Sequence, residues 1–221
     1  MDRRTLLVSG TAAVVAGCTT FDTHSPGRTA SCDIVSYPLN TGLSILESTF
    51  ASPVFLDPGD RQAKWVFNHQ GGNPSGSHDA APVVVGGTFG GEPSVPDTLW
   101  IRSPDDAVQG DSFLFSYGFC VDAIPVESIP LGQKFAIREL HVKSSDVLER
   151  VTLNGAILYG TNASSPQEFE YDPQNPSHTS VNDFMLDGVN LLHVHVLKTT
   201  PAPGPLAISV SGLVSGISCC D

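Results

Sequence analysis

Charge is scarce in this 221-residue sequence, and basic charge is scarcer still. Only 15% of residues are charged, and 11 Lys and Arg stand against 23 Asp and Glu, for a net charge of −12. A chain so short of cations has no general grip on a phosphate backbone, which argues against nucleic acid as a partner. Long apolar runs are also missing, since no stretch reaches the roughly 18 residues of a membrane-spanning helix. Familiar catalytic spacings are absent: there is no Gly-x-Ser-x-Gly elbow, no His-Glu-x-x-His and no phosphate loop. The chain is therefore expected not to be an enzyme. Beyond Cys32 no apolar stripe of helical period exceeds two turns, and the one short helix expected, Thr41 to Phe50, is marginal in length.

What the sequence has instead is turns and short β-forming runs. Its 21 glycines and 17 prolines punctuate stretches rich in β-branched and aromatic residues. Such runs are Lys64–Phe67, Pro82–Val85, Ser112–Tyr117, Phe119–Val121, Lys134–Val142, Arg150–Leu153, Asn190–Leu197 and Leu206–Ser211. Strands at this spacing predict an all-β fold, a two-sheet antiparallel sandwich. Alternation identifies the buried side near the end of the chain: Leu192, Val194 and Val196 share one face, and His193 and His195 share the other. With no repeat and no second composition regime, residues 32–221 read as a single domain.

The first residues read as an export address. Asp2-Arg3-Arg4 precedes a short apolar run, and residues 1–17 have the plan of a signal peptide. Arg3-Arg4-Thr5-Leu6-Leu7 resembles a twin-arginine signal, and Val15-Ala16-Gly17-Cys18 resembles a bacterial lipobox. Cys18 is then the lipidated first residue of the mature chain, with residues 18–31 as its tether. That predicts an exported protein, at the cell surface or in the periplasm, touching the membrane through its lipid alone. In an oxidising compartment the remaining Cys32, Cys120, Cys219 and Cys220 are disulfide candidates with three complete pairings. Joining Cys32 to one of the terminal pair would staple the chain ends, whereas a bond within Cys219-Cys220 strains its peptide.

Asn154-Gly155 after the Val151–Leu153 run predicts a tight hairpin, because both residues accept positive φ. Downstream, Leu186-Asp187-Gly188-Val189-Asn190-Leu191-Leu192 has the "leucine, x, Gly, x, Asn, x, leucine" pattern of a strand that pairs with such a hairpin, and Pro203-Gly204-Pro205 introduces a last strand. In this order these segments resemble the galactose-binding-like β-sandwich, a jelly roll, over roughly Trp65 to Leu213. The resemblance implies the fold, and it implies a carbohydrate-binding-module-like role only in outline, since that sandwich serves sugar binding, protein binding and scaffolding alike.

Candidate ligand-binding residues follow from sugar chemistry, which uses aromatic faces to stack on a pyranose. Trp100, Tyr159 and Tyr171 are the candidates, with Trp65 assigned to the core. His193 and His195 have a spacing that suits a metal but no third ligand in view, so no metal site is assigned. Cofactors are not expected beyond a structural calcium, for which Asp57, Asp60 and Asp105 to Asp111 offer oxygens at no diagnostic spacing. Two functions remain: a cell-surface module binding a glycan or a surface protein, and a self-associating structural subunit of a filament, coat or appendage.

Overall fold

A computed structural model describes residues 31–44, 54–70, 80–121, 136–160, 168–172, 175 and 188–220. The signal peptide, Cys18, most of the tether and residues 45–50 of the expected helix lie outside them. Thirteen strands are described, and no helix among the described residues. They are β1 (Ser31–Pro38), β2 (Trp65–Gln70), β3 (Val83–Gly86), β4 (Thr88–Phe89), β5 (Glu92–Pro93), β6 (Trp100–Arg102) and β7 (Ser112–Val121), followed by β8 (Ala136–Ser144), β9 (Val147–Leu153), β10 (Ala156–Gly160), β11 (Glu168–Glu170), β12 (Gly188–Leu197) and β13 (Ala207–Cys220). At the start of the expected helix, Thr41 and Gly42 form a turn and Leu43 bridges to Phe55.

Two large antiparallel sheets pack as a sandwich, an arrangement compatible with a jelly roll. One is six-stranded, in the order β11-β8-β13-β6-β3 with β1 also on β13; the other is five-stranded, in the order β10-β9-β12-β7-β2. The core between them is what alternation dictates. From β12 it receives Leu192, Val194 and Val196, all with no exposure. From β7 it receives Phe113, Phe115, Tyr117 and Phe119, while Ser112, Leu114 and Ser116 take the other side. Gly118 continues β7 through what the sequence divides into two runs. Trp65 and Phe67 of β2 lie opposite Tyr117 and Phe115, with ring centroids 5.4 and 5.7 Å apart, and Phe67 meets Phe113 edge-on at 4.7 Å. The facing sheet contributes Ile208, Val210 and Val214 of β13 and Leu140 and Val142 of β8.

The expected Asn-Gly hairpin forms. Asn154 (φ 49°) and Gly155 (φ 85°) both sit in the left-handed region between β9 and β10. Asn154 also ties that hairpin to the start of β12. Its Nδ2 donates to Asn190 Oδ1 at 2.8 Å, its Oδ1 accepts from the Leu191 amide at 2.9 Å, and its own amide donates to the Leu191 carbonyl at 2.9 Å. The two sequence patterns, hairpin and strand start, are thus halves of one hydrogen-bonded joint.

A second joint holds the other end of the sandwich. Asp146, in the turn between β8 and β9, is 3% exposed. Its carboxylate accepts hydrogen bonds from the Val147, Thr199 and Thr200 amides and from the Thr199 and Thr200 hydroxyls. Lys198 Nζ stands 3.8 Å away. Burial pushes the Asp146 pKa up, but the Thr199 and Thr200 hydrogen bonds outweigh it and leave the carboxyl below its ordinary value.

Candidate functional site

Of the three aromatics expected to form a binding platform, Trp100 and Tyr171 are buried and Tyr159 is half-buried. Trp100 in β6 is 1% exposed, on the side of the six-stranded sheet away from the core. The β4–β5 hairpin folds over it: Phe89 lies 5.9 Å from the indole ring, and Trp100 Nε1 donates to the Glu92 carbonyl at 3.2 Å. Gly90 (φ 60°) and Gly91 (φ 89°) make the turn that brings this flap back. Lys143 fastens it through Glu92 Oε2 and the Pro93 carbonyl, both at 3.3 Å. Tyr171 is 5% exposed, and its amide donates to the Leu140 carbonyl. Tyr159 is half-buried with its ring 5.1 Å from that of Phe169, so β10 of one sheet meets β11 of the other. Trp100 and Tyr171 therefore present no free face to a sugar. The sequence alone does not reveal this, because it shows the aromatic and not its cover; the one available signal is Gly90-Gly91, a hairpin turn ten residues before Trp100.

The outer face of the five-stranded sheet has a different character. Register assembles it in rows. One row runs Ile157, Thr152, His193, Ser116 and Val66, from β10 to β2; the next runs Gly160, Arg150, His195, Leu114 and Asn68. His193 and His195 occupy adjacent rows on β12, as their alternation with buried Leu192, Val194 and Val196 requires, with ring centroids 6.4 Å apart. His193 Nδ1 is 2.9 Å from Ser116 Oγ, a bond that fixes the ring orientation. Two of the large apolar side chains that stay exposed, Ile157 at 57% and Val189 at 41%, lie on this face.

The electrostatics of this face are set by partial burial. Both imidazoles are half-buried, and loss of hydration lowers the pKa of each. For His195 burial leads, the Arg150 cation and His193 add to it, and the value falls to about 4. The pair is therefore uncharged at neutral pH, and each ring offers one N–H donor and one nitrogen acceptor. The result is a sheet face on which neutral imidazoles and hydroxyls sit among aliphatic side chains, with the Arg150 cation beside His195 in its row.

Other sequence candidates do not converge. Asp60 Oδ2 accepts from the Asp57 amide and Asp111 Oδ2 from the Val108 amide, so each acid closes its own turn. Among the described residues no three His, Cys, Asp or Glu side chains come together to hold a metal ion. The carboxylates considered for calcium are thus not gathered into one site. The backbone positions of Cys32, Cys120, Cys219 and Cys220 are described; their side chains are not among the described features. No family model matches the chain, and neither a curated protein nor a solved structure matches it.

Proposed function

We propose that this chain is an exported, non-catalytic binding module, held to the membrane by a lipid on Cys18 and presenting the outer face of its five-stranded sheet to an uncharged, polyhydroxylated ligand, a glycan. The observation that carries the reading is the neutral pair His193 and His195 beside Ser116, with Ile157 and Val189 exposed on the same face. Sugar hydroxyls need donors and acceptors that are already oriented, and sugar C–H faces need apolar area beside them. The lipobox-like start and the likeness to galactose-binding-like sandwiches point the same way. This choice of surface differs from the aromatics that sugar chemistry first suggests, because two of the three, Trp100 and Tyr171, are buried.

One observation favours assembly as a second reading. Among the described residues β1 pairs only with β13, so its other edge is open to strand addition from another copy.

Glycan-array binding beside light-scattering size analysis separates the two, using mature protein and the His193→Ala/His195→Ala variant. Glycan binding by a monomer, lost in the double variant at unchanged melting temperature, supports the first reading. Binding that survives the double variant overturns this choice of face, and ordered polymers without glycan binding replace the reading by the second.

A further inference from the structure

The register of β1 on β13 selects among the cysteine pairings. It runs without a shift from Ser31 opposite Cys220 to Pro38 opposite Leu213, and it sets Cys32 directly opposite Cys219. The hydrogen bonds just past the strand give the parity of this ladder. The Leu39 amide donates to the Gly212 carbonyl at 2.9 Å and the Thr41 amide to the Val210 carbonyl at 2.8 Å. Residues 39 and 212 are therefore a hydrogen-bonded pair, and counting back through the unbroken register makes Cys32 and Cys219 a non-hydrogen-bonded pair. In such pairs the Cα atoms stand about 4.5 Å apart and the side chains lie closest, within the Cα separation of about 4.4–6.8 Å that a disulfide spans.

Alternation removes the competitors. Ile208, Val210 and Val214 face the core, so position 219 belongs to the outer side of the six-stranded sheet, and its partner position 32 belongs there too. Position 220 then falls on the opposite side of β13. In β7, Phe113, Phe115, Tyr117 and Phe119 face the core, which assigns position 120 to the outer side of the other sheet. The sheets of a sandwich are about 10 Å apart, beyond the roughly 7 Å at which two Cα atoms can be bridged. We propose that Cys32 and Cys219 form a cross-strand disulfide that locks β1 onto β13, with Cys120 and Cys220 left as thiols.

The chemistry is a two-electron exchange. The S–H bonds of Cys32 and Cys219 break, one S–S bond forms between them, and two protons and two electrons pass to a disulfide oxidant of the oxidised-glutathione type, whose own S–S bond becomes two thiols. The proposal is independent of the ligand. Should the sheet face bind nothing, the link is unaffected; should the link be absent, the binding face is on the other sheet and stands.

The test is peptide mapping of the full chain, purified from an exporting host or equilibrated in a glutathione redox buffer, then alkylated in denaturant and digested with trypsin without reduction. The expected product joins residues 29–61 to residues 199–221. Fragmentation should find the alkyl group on Cys220 and the link on Cys219, and Cys120 should be alkylated. Cys220→Ser should keep the link. Alkyl groups on Cys32 or Cys219 in the wild type, or a link running through Cys120 or Cys220, overturn the proposal.

Discussion

Replacing Asp146 probes the end of the sandwich opposite the Asn-Gly joint. The carboxylate is 3% exposed and receives five hydrogen bonds, two of them from threonine hydroxyls at 2.5 and 2.8 Å, with Lys198 beside it. Asp146→Ala leaves the Val147, Thr199 and Thr200 amides without their acceptor and Lys198 without its counter-charge. Breaking a buried charged pair costs about 3–5 kcal/mol. For a domain of this size that corresponds to a fall in melting temperature of roughly 6–20 °C. Asp146→Asn keeps the shape and one acceptor oxygen but turns an N–H₂ toward the donors, so a loss of about 1.5–3 kcal/mol is expected, the worth of hydrogen bonds to a charged group.

The pH dependence has a definite sign. The folded carboxyl titrates below its unfolded value, so its stabilisation is complete above about pH 4 and is lost as pH falls through the folded pKa. Urea unfolding of wild type and Asp146→Asn at pH 7 and pH 3 measures both effects. The gap between the two proteins should narrow at pH 3. If Asp146→Ala lies within about 1 kcal/mol of wild type at pH 7, the joint does not carry the load assigned to it. A gap that widens at pH 3 would show the carboxylate to be destabilising in place.

Two further predictions address the other joint and the outer face. Asn154→Ala removes the acceptor of the Leu191 amide and the donor to Asn190, which is fully buried, and puts Ala at φ 49°; it should cost about 2–4 kcal/mol in urea unfolding, whereas a melting temperature within a degree of wild type would deny the joint its role. Because the His195 pKa is lowered to about 4, the unfolded chain holds more protons than the folded one from there to about pH 6.5, so stability should climb across that interval and His195→Gln should flatten the climb. An unchanged slope in His195→Gln would mean that the imidazole is hydrated like any surface histidine.

The sandwich is legible in the sequence where strands bury one face. In β12 the apolar set Leu192, Val194 and Val196 alternates with histidines, and in β7 four aromatics alternate with Ser112, Leu114 and Ser116; one period decides both type and register. The Asn154-Gly155 turn is legible for a different reason, since its backbone demands those residues. β1 escapes notice because Ser31–Pro38 mixes polar and apolar residues beside a polar tether, and its identity as a strand comes from pairing with β13. The same long-range pairing bears on the cysteines: composition leaves three complete connectivities open, and only a register spanning most of the chain sets Cys32 opposite Cys219.

Trp100 shows why burial, and with it the binding face, resists a local reading. Trp100 and Ile101 are adjacent in a three-residue strand, and both are buried. Adjacent strand residues face opposite ways, so one of the two needs a cover other than the facing sheet. The β4–β5 flap supplies it for Trp100, and Ser209 and Thr98 share a buried hydrogen bond beneath the same segment. The six-stranded sheet is therefore covered on both sides along this stretch. No such flap is described over the five-stranded sheet, where Ile157 and Val189 remain exposed in a row system that also holds His193 and His195. Four large apolar side chains stay exposed among the described residues, Phe55, Val108, Ile157 and Val189, and the last two share their face with the half-buried imidazoles. Among the described residues the two outer faces thus differ, the six-stranded sheet being covered by the chain itself at Trp100 and the five-stranded sheet carrying His193, His195 and exposed Ile157 and Val189, and that contrast is why we propose the histidine-bearing sheet as the binding face.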